Sequence, residues 1–213
     1  FAETYQGSYV DAVPDARSFY NSFSGYRDEL SWGANWLYQA TGEESYLEAS
    51  ERYYAPADSN WAFAWDDKGH GAALLLAAQT GDASYRSDVE AHFAHWLNDM
   101  TLTPGTATNA GLAWLDQWGA NRYAANTAFM AGLYARDLAA ADPAGEAETI
   151  GRLRNFMTDQ IDYMLGDNPD GQSYVVGFGA DYPRNPHHRA ASGVALHDPA
   201  PNRHVLEGAL VGG

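Results

Sequence analysis

YRDELSWGANWLYQATGEESYLEASERYY, residues 26–54, reads as two helices joined at a corner. Leu30, Ala34, Leu37 and Tyr38 recur at helical spacing, which predicts a helix over Tyr26 to Ala40. Thr41-Gly42 interrupts it, and a glycine there can take the left-handed cap that ends a helix. A second helix is expected at once, from about Glu43 to Tyr54, so the pair must fold back as an αα-hairpin. The design recurs downstream. GAALLLAAQ (Gly71 to Gln79) is an apolar helix ending in Thr80-Gly81, and Asp82 to Asn98 is the next. TGEESYLEA at Thr41 and TGDASYRSD at Thr80 share Thr, Gly, Ser and Tyr at equal offsets. A third pair runs over Tyr123 to Ala141 and Ala147 to Leu165, joined by ADPAGE. Paired helices at a period of about 40 residues imply a repeat array. Before the first hairpin, Pro14 suits the first turn of a short helix.

Composition narrows the function classes. Acidic residues outnumber basic ones 28 to 12 across 213 residues, for a formal charge of −16. Phosphates would be repelled, which argues against nucleic acid or an anionic membrane as partner. No apolar run approaches the roughly 18 residues of a membrane span. Without cysteine there are no disulfides and no thiolate metal sites. The histidines lack the H-x3-H or HExxH spacing of zinc sites. The chain shows no signal peptide, and Phe1 is not an initiator, so a processed or excised chain is expected. Aromatic residues are abundant, with 7 Trp and 14 Tyr. Core packing accounts for most of them. A flat ring that stays exposed can instead stack on the C–H face of a sugar.

DYMLGDNPDGQSYVVGFGADYPRNPHHR, Asp162 to Arg189, leaves a helix through a loop rich in Gly, Pro and Asn. It delivers His187, His188 and Arg189 together behind Pro183 and Pro186. Long ordered loops of this kind usually carry function. Ser173 to Val176, then Gly179-Ala180-Asp181, then Pro186-His187-His188-Arg189 resemble the histidine signature of glycoside hydrolase family 9, the inverting cellulases. Asp181 departs from the Asn, Lys or Arg usual there, and LGDNP (Leu165 to Pro169) is also typical of the family. The resemblance runs over nearly the whole chain. It implies an all-α fold: the helical hairpins of an (α/α)6 barrel, incomplete here, with residues 1–213 forming roughly the C-terminal half of the catalytic domain.

The resemblance also implies hydrolysis of β-1,4-glucosidic bonds in cellulose or β-glucan, with inversion, by an extracellular endoglucanase. Inversion needs a general acid and a general base about 6.5–9.5 Å apart. The family's base lies in a D-A-G-D motif and its acid on a Glu in a later segment. Neither motif occurs in these residues. The 213-residue chain alone is therefore expected to be inactive, and a non-catalytic β-glucan-binding fragment is the alternative. Unpaired hairpin faces would expose apolar surface, so self-association of the isolated chain is a further expectation.

By the same resemblance, His187 and Arg189 hold glucose hydroxyls beside the scissile bond; His188 would point the other way in an extended segment and is expected to be structural. Trp61 and Asp67 in NWAFAWDDKGHG, Trp118, Arg122 and Tyr123 in GLAWLDQWGANRYAAN, and Tyr20 are the substrate-binding candidates. Trp61 and Trp65 would share a face if that stretch is helical. Trp118 and Arg122 are expected one turn apart at a helix start. Asp66 and Asp67 could bind hydroxyls, bind a cation, or cap the helix expected from Lys68. Phe23 stands where the family often has Trp, and is left out of the site. Some family members hold calcium at the positions matched by Ser24, Asp28, Glu29 and Asp66. Calcium takes six to eight oxygen ligands, which carboxylates and carbonyls provide. The bland alternative is an acidic helix start complementing the helix dipole.

Overall fold

A computed structural model describes residues 1–100, 111–187, 193–195 and 197–212. Two short pieces open the chain: α1 (Tyr9–Ala12) and a 3-10 turn (Pro14–Ser18) with the proline in its first turn. Then come α2 (Arg27–Thr41), α3 (Glu44–Tyr53), α4 (Gly69–Thr80) and α5 (Ala83–Ala94), which runs on into a π-turn at His95–Asp99. The last pair is α6 (Ala120–Ala141) and α7 (Ala147–Leu165). Contacts fall into two compact units, Phe1–Asn98 and Asp99–Gly213. Pairs α2/α3 and α4/α5 pack in the first, with α2 also against α4, and α6/α7 pack in the second.

The two Thr-Gly corners use one device. Gly42 and Gly81 sit at φ 72° and 70°, left-handed values that a side chain would oppose. Thr41 Oγ1 donates to the Leu37 carbonyl and accepts the Glu43 N–H. Thr80 does the same with Leu76 and Asp82. Each threonine so ties the last turn of its helix to the residue just beyond the glycine, while the glycine N–H takes the next carbonyl, Tyr38 or Ala77.

Inside the first unit, α2 and α3 are joined by a reciprocal pair. Ser31 and Ser50, both fully buried, each donate to the other's backbone carbonyl at 2.9 Å. Burial of two hydroxyls is tolerated because both are bonded. Gly71 on α4 lets aromatic rings close over the helix: an added Cβ would lie 2.5 Å from the Trp32 ring and 2.7 Å from Phe63.

In the second unit α6 presents Ala120, Ala124, Ala128, Ala131 and Ala135 at buried, helical spacing. Small side chains bring α7 close. After α7, residues 174–176 run antiparallel to 208–211. Val176 N–H donates to Ala209, Gly208 to Val176, and Val211 to Tyr174, with a bridge at Val175–Leu210. Asn121 then receives the chain end, its N–H and Nδ2 donating to the Gly212 and Val211 carbonyls.

Three expectations need correction. Residues 61–65 are not helical, so Trp61 and Trp65 do not share a helix face. Two tight turns fold the stretch instead, Trp61 N–H to Asp58 and Ala64 N–H to Asp67. By contrast, α4 starts at Gly69, beside the start expected at Lys68, and the Asp67 carboxylate accepts the Gly69 N–H. α5 ends at Ala94, where the π-turn takes over. α6 starts at Ala120, and Trp118 precedes it, set off by Gly119 at φ 78°.

Candidate functional site

Each unit carries part of the residue set. In the second unit, Trp118 projects from an arch between Ala113 and Ala120 and is 74 % exposed. Its N–H donates to the Asp116 carboxylate at 2.8 Å, an Asx-type turn that orients the arch. Arg122, one turn into α6, lies over the Tyr123 ring at 4.5 Å and donates from Nη2 to the Tyr123 hydroxyl at 2.6 Å. Tyr123 is only 4 % exposed, so it stands behind Arg122 and holds the guanidinium, rather than presenting its ring to solvent. Gly119 leaves room for that posture: a Cβ would lie 3.1 Å from Arg122 Nε.

The loop after α7 is organised by Asn168. Its Nδ2 donates to the Tyr163 and Gln172 carbonyls at 2.7 and 2.8 Å, and its Oδ1 accepts from Asp170 and Gln172. Gly166, at φ 117°, makes the preceding reversal. Tyr174 N–H then returns to the Met164 carbonyl at 2.7 Å, and the Tyr163 and Tyr174 rings stack at 6.1 Å. Further on, Asn202 clasps the turn before His187: its N–H donates to Asn185 Oδ1 and its Nδ2 to the Pro186 carbonyl. His187 emerges exposed from that clasp. His188 and Arg189 lie outside the described residues.

In the first unit, Tyr20 is exposed and meets the exposed Trp65 edge-on at 5.5 Å, while the Tyr9 hydroxyl donates to the Tyr20 carbonyl. Trp61 is half-buried, and its carbonyl accepts from Trp96 Nε1 at 3.0 Å. Trp65 is thus the freer of the two rings.

The acidic corner couples four carboxyl groups. Asp66 accepts the Phe23 N–H at 3.0 Å, and Ser24 Oγ donates to the Asp66 carbonyl. Asp28 Oδ2 accepts the Lys68 N–H at 2.7 Å, but its Oδ1 is buried without a partner. Glu29 is exposed as a residue, yet partial burial of its carboxyl, then the Asp28 carboxylate beside it, push its pKa up to about 8. Burial, then Asp28, raises Asp66 and Asp67 as well, against the N–H groups that each accepts. Acids crowded this way take up protons or a cation. In kind, these donors suit a hard, oxygen-seeking ion. The cage is not closed, because no three His, Asp or Glu among the described residues are placed to hold a metal. Asp67 acts at the start of α4, the capping alternative for that residue.

Two groups gave little sign in the sequence. His70 and His92 lie against each other inside the α4/α5 pair, ring centroids 4.0 Å apart and planes tilted by 31°, both buried. Burial lowers His70 to about 4 and holds His92 well below the ordinary imidazole range. Neither ring nitrogen of His92 has a hydrogen-bond partner among the described residues. The second group is Gln160, polar on the buried stripe of Leu153, Tyr163 and Met164.

The whole chain, residues 1–213, matches the profile of Glycosyl hydrolase family 9. The chain belongs to this family. It is similar to Endoglucanase B of Cellulomonas fimi and Endoglucanase A of Bacillus pumilus, 44 % identical to each over 100 % of its length. It spans 21 % and 33 % of those two proteins. Among solved structures, the endoglucanase of the termite Nasutitermes takasagoensis superposes with a TM-score of 0.81 at 39 % identity, covering 100 % of this chain and 48 % of that one. Endoglucanase CelQ from Clostridium thermocellum, complexed with cellotriose, gives 0.77 at 43 % identity, covering 93 % and 34 %. The fold is accordingly all-α, built of the helical hairpins of the family's (α/α)6 barrel.

Proposed function

We propose that residues 1–213 form part of one catalytic domain of an endo-β-1,4-glucanase that cleaves cellulose or β-glucan with inversion. The observation that carries this is the family match over the whole chain. The exposed Trp118 beside the held guanidinium of Arg122 supports it. A tryptophan face stacks on a pyranose ring, while an arginine fork donates to its hydroxyls. Tyr20, Trp61 and Asp67 are proposed to add sugar contacts, and Tyr123 to act through Arg122. His187 and Arg189 are proposed to hold hydroxyls next to the bond being cut. Neither the general acid nor the general base is assigned to any residue here, since neither motif is present. An extracellular site of action follows from the substrate, a polymer too large to enter a cell.

Calcium is the proposed ion for Ser24, Asp28, Glu29 and Asp66. The unpartnered Asp28 oxygen and the raised Glu29 carboxyl support it, and the unclosed cage weighs against it. Its charge would offset the repulsion among the acids.

The missing acid and base motifs favour a second reading for these 213 residues alone, as a non-lytic glucan binder. Both readings require cello-oligosaccharide binding. Titration with cellotetraose should saturate, and Trp118→Ala should weaken it about tenfold or more, the loss of one stacked ring. No saturable binding by wild type would refute both. Robust hydrolysis of carboxymethylcellulose by the 213-residue chain would refute the non-lytic reading.

A further inference from the structure

Trp114 and Trp118, 42 % and 74 % exposed, stand on one five-residue arch, residues 114–118. Both feet of the arch are pinned. On the far side Gly119 turns the chain into α6. On the near side Gly111, Leu112 and Ala113 are buried, with Leu112 packed among Ala120, Ala124, Tyr163 and Met164. Apolar packing holds depth but does little to fix rotation or sliding along the surface. Directional bonds do that, and two of them come from one side chain on α7. Gln160, 2 % exposed, accepts the Ala113 N–H on Oε1 at 2.7 Å and donates from Nε2 to the Gly111 carbonyl at 3.1 Å. Its amide so satisfies one buried backbone donor and one buried acceptor of the segment.

We infer that Gln160 is a positioning residue for glucan binding, setting the register of the arch that carries Trp114 and Trp118 without touching the sugar. This rests on the reading of Trp118 as a sugar platform. Removing the amide leaves one N–H and one C=O buried without partners, and the arch must shift to wet them. Misplacement by about 1 Å can weaken a positioned contact on the order of 10- to 100-fold.

The replacement that discriminates is Gln160→Glu. Its carboxylate can still accept from Ala113 but repels the Gly111 carbonyl. Once protonated, it donates again and restores the pair. Cellotetraose binding is measured on the natural polypeptide carrying these residues, as wild type, Gln160→Ala and Gln160→Glu, between pH 7.5 and 5. Hydrogen exchange across residues 111–118 is followed in parallel. The expected result is binding weakened at least tenfold at pH 7.5 in both variants. Gln160→Glu should recover toward wild type at low pH and Gln160→Ala should not, with kcat on cello-oligosaccharides changing less than KM. Binding within twofold of wild type in Gln160→Ala, or no pH-dependent recovery in Gln160→Glu, overturns the inference. Should wild type itself fail to bind, the sugar-binding reading falls. Unchanged exchange in Gln160→Ala would separately refute the pinning of the arch.

Discussion

Replacing Asn168 with alanine tests whether the loop toward His187 is held by one side chain. The amide makes four hydrogen bonds, two short from Nδ2 at 2.7 and 2.8 Å and two longer onto Oδ1 at 3.2 and 3.4 Å. A net hydrogen bond contributes about 0.5–1.5 kcal/mol. Taking the short pair near the middle of that range and the long pair near its floor gives about 3 kcal/mol. Asn168 is half-buried, so water recovers part of this, and about 2 kcal/mol is expected. The assay should be local, because two compact units need not unfold together. The Tyr174 amide, bonded to Met164 across the base of the loop, is a suitable reporter. Its hydrogen-exchange protection should fall about 30-fold in Asn168→Ala, the equivalent of about 2 kcal/mol. Asn168→Asp should be no better, since a second carboxylate oxygen would face the Tyr163 and Gln172 carbonyls. Protection within about threefold of wild type in Asn168→Ala would refute the argument and place control of the loop in the 174–176/208–211 pairing.

Three further tests concern the first unit. Gly71→Ala should destabilise it by about 1–3 kcal/mol in urea titrations, because the new methyl meets the Trp32 and Phe63 rings; a change below about 0.5 kcal/mol would mean that both rings move freely. Acidification should lower its melting temperature through His70 and His92. Their native pKa values lie below the unfolded value near 6.5, so the unfolded chain binds more protons, and stability present above pH 6.5 is lost as pH falls toward 4. Glu29 works in the opposite sense between its ordinary range and about 8, so the comparison is wild type against His70→Gln, and parallel melting curves would sink the assignment. Millimolar calcium should raise the melting temperature at pH 7 in wild type and not in Asp28→Asn; equal responses would remove the ion from this corner.

The helix pairs were legible because each carries its own punctuation. Thr41-Gly42 and Thr80-Gly81 end their helices where a glycine has to sit, and the ADPAGE turn separates α6 from α7. Trp61 and Trp65 were not legible, since a spacing of four is as compatible with two tight turns as with a helix. What decided it is the pair of turns closed on the Asp58 and Asp67 carbonyls. Tyr123 was misplaced for a related reason. Helical spacing shows that it neighbours Arg122, but not that burial turns its ring inward. Gln160 and the His70–His92 pair interrupt otherwise apolar faces. A polar residue on such a stripe signals a partner somewhere in the fold, without saying which backbone or ring it meets.

The two Thr-Gly corners have a consequence for how such chains can change. Each threonine bonds only to its own helix and to the residue just beyond the glycine. The threonine bonds do not depend on the particular helix that follows, whereas Asp82 also caps α5 through the Ser84 N–H. The Thr-Gly joint is portable: exchanging residues 41–43 with 80–82 should cost only that cap, about 1 kcal/mol, and leave both helix pairs intact. A chain built on it can lengthen by whole pairs, or trade one for another, without redesigning the join.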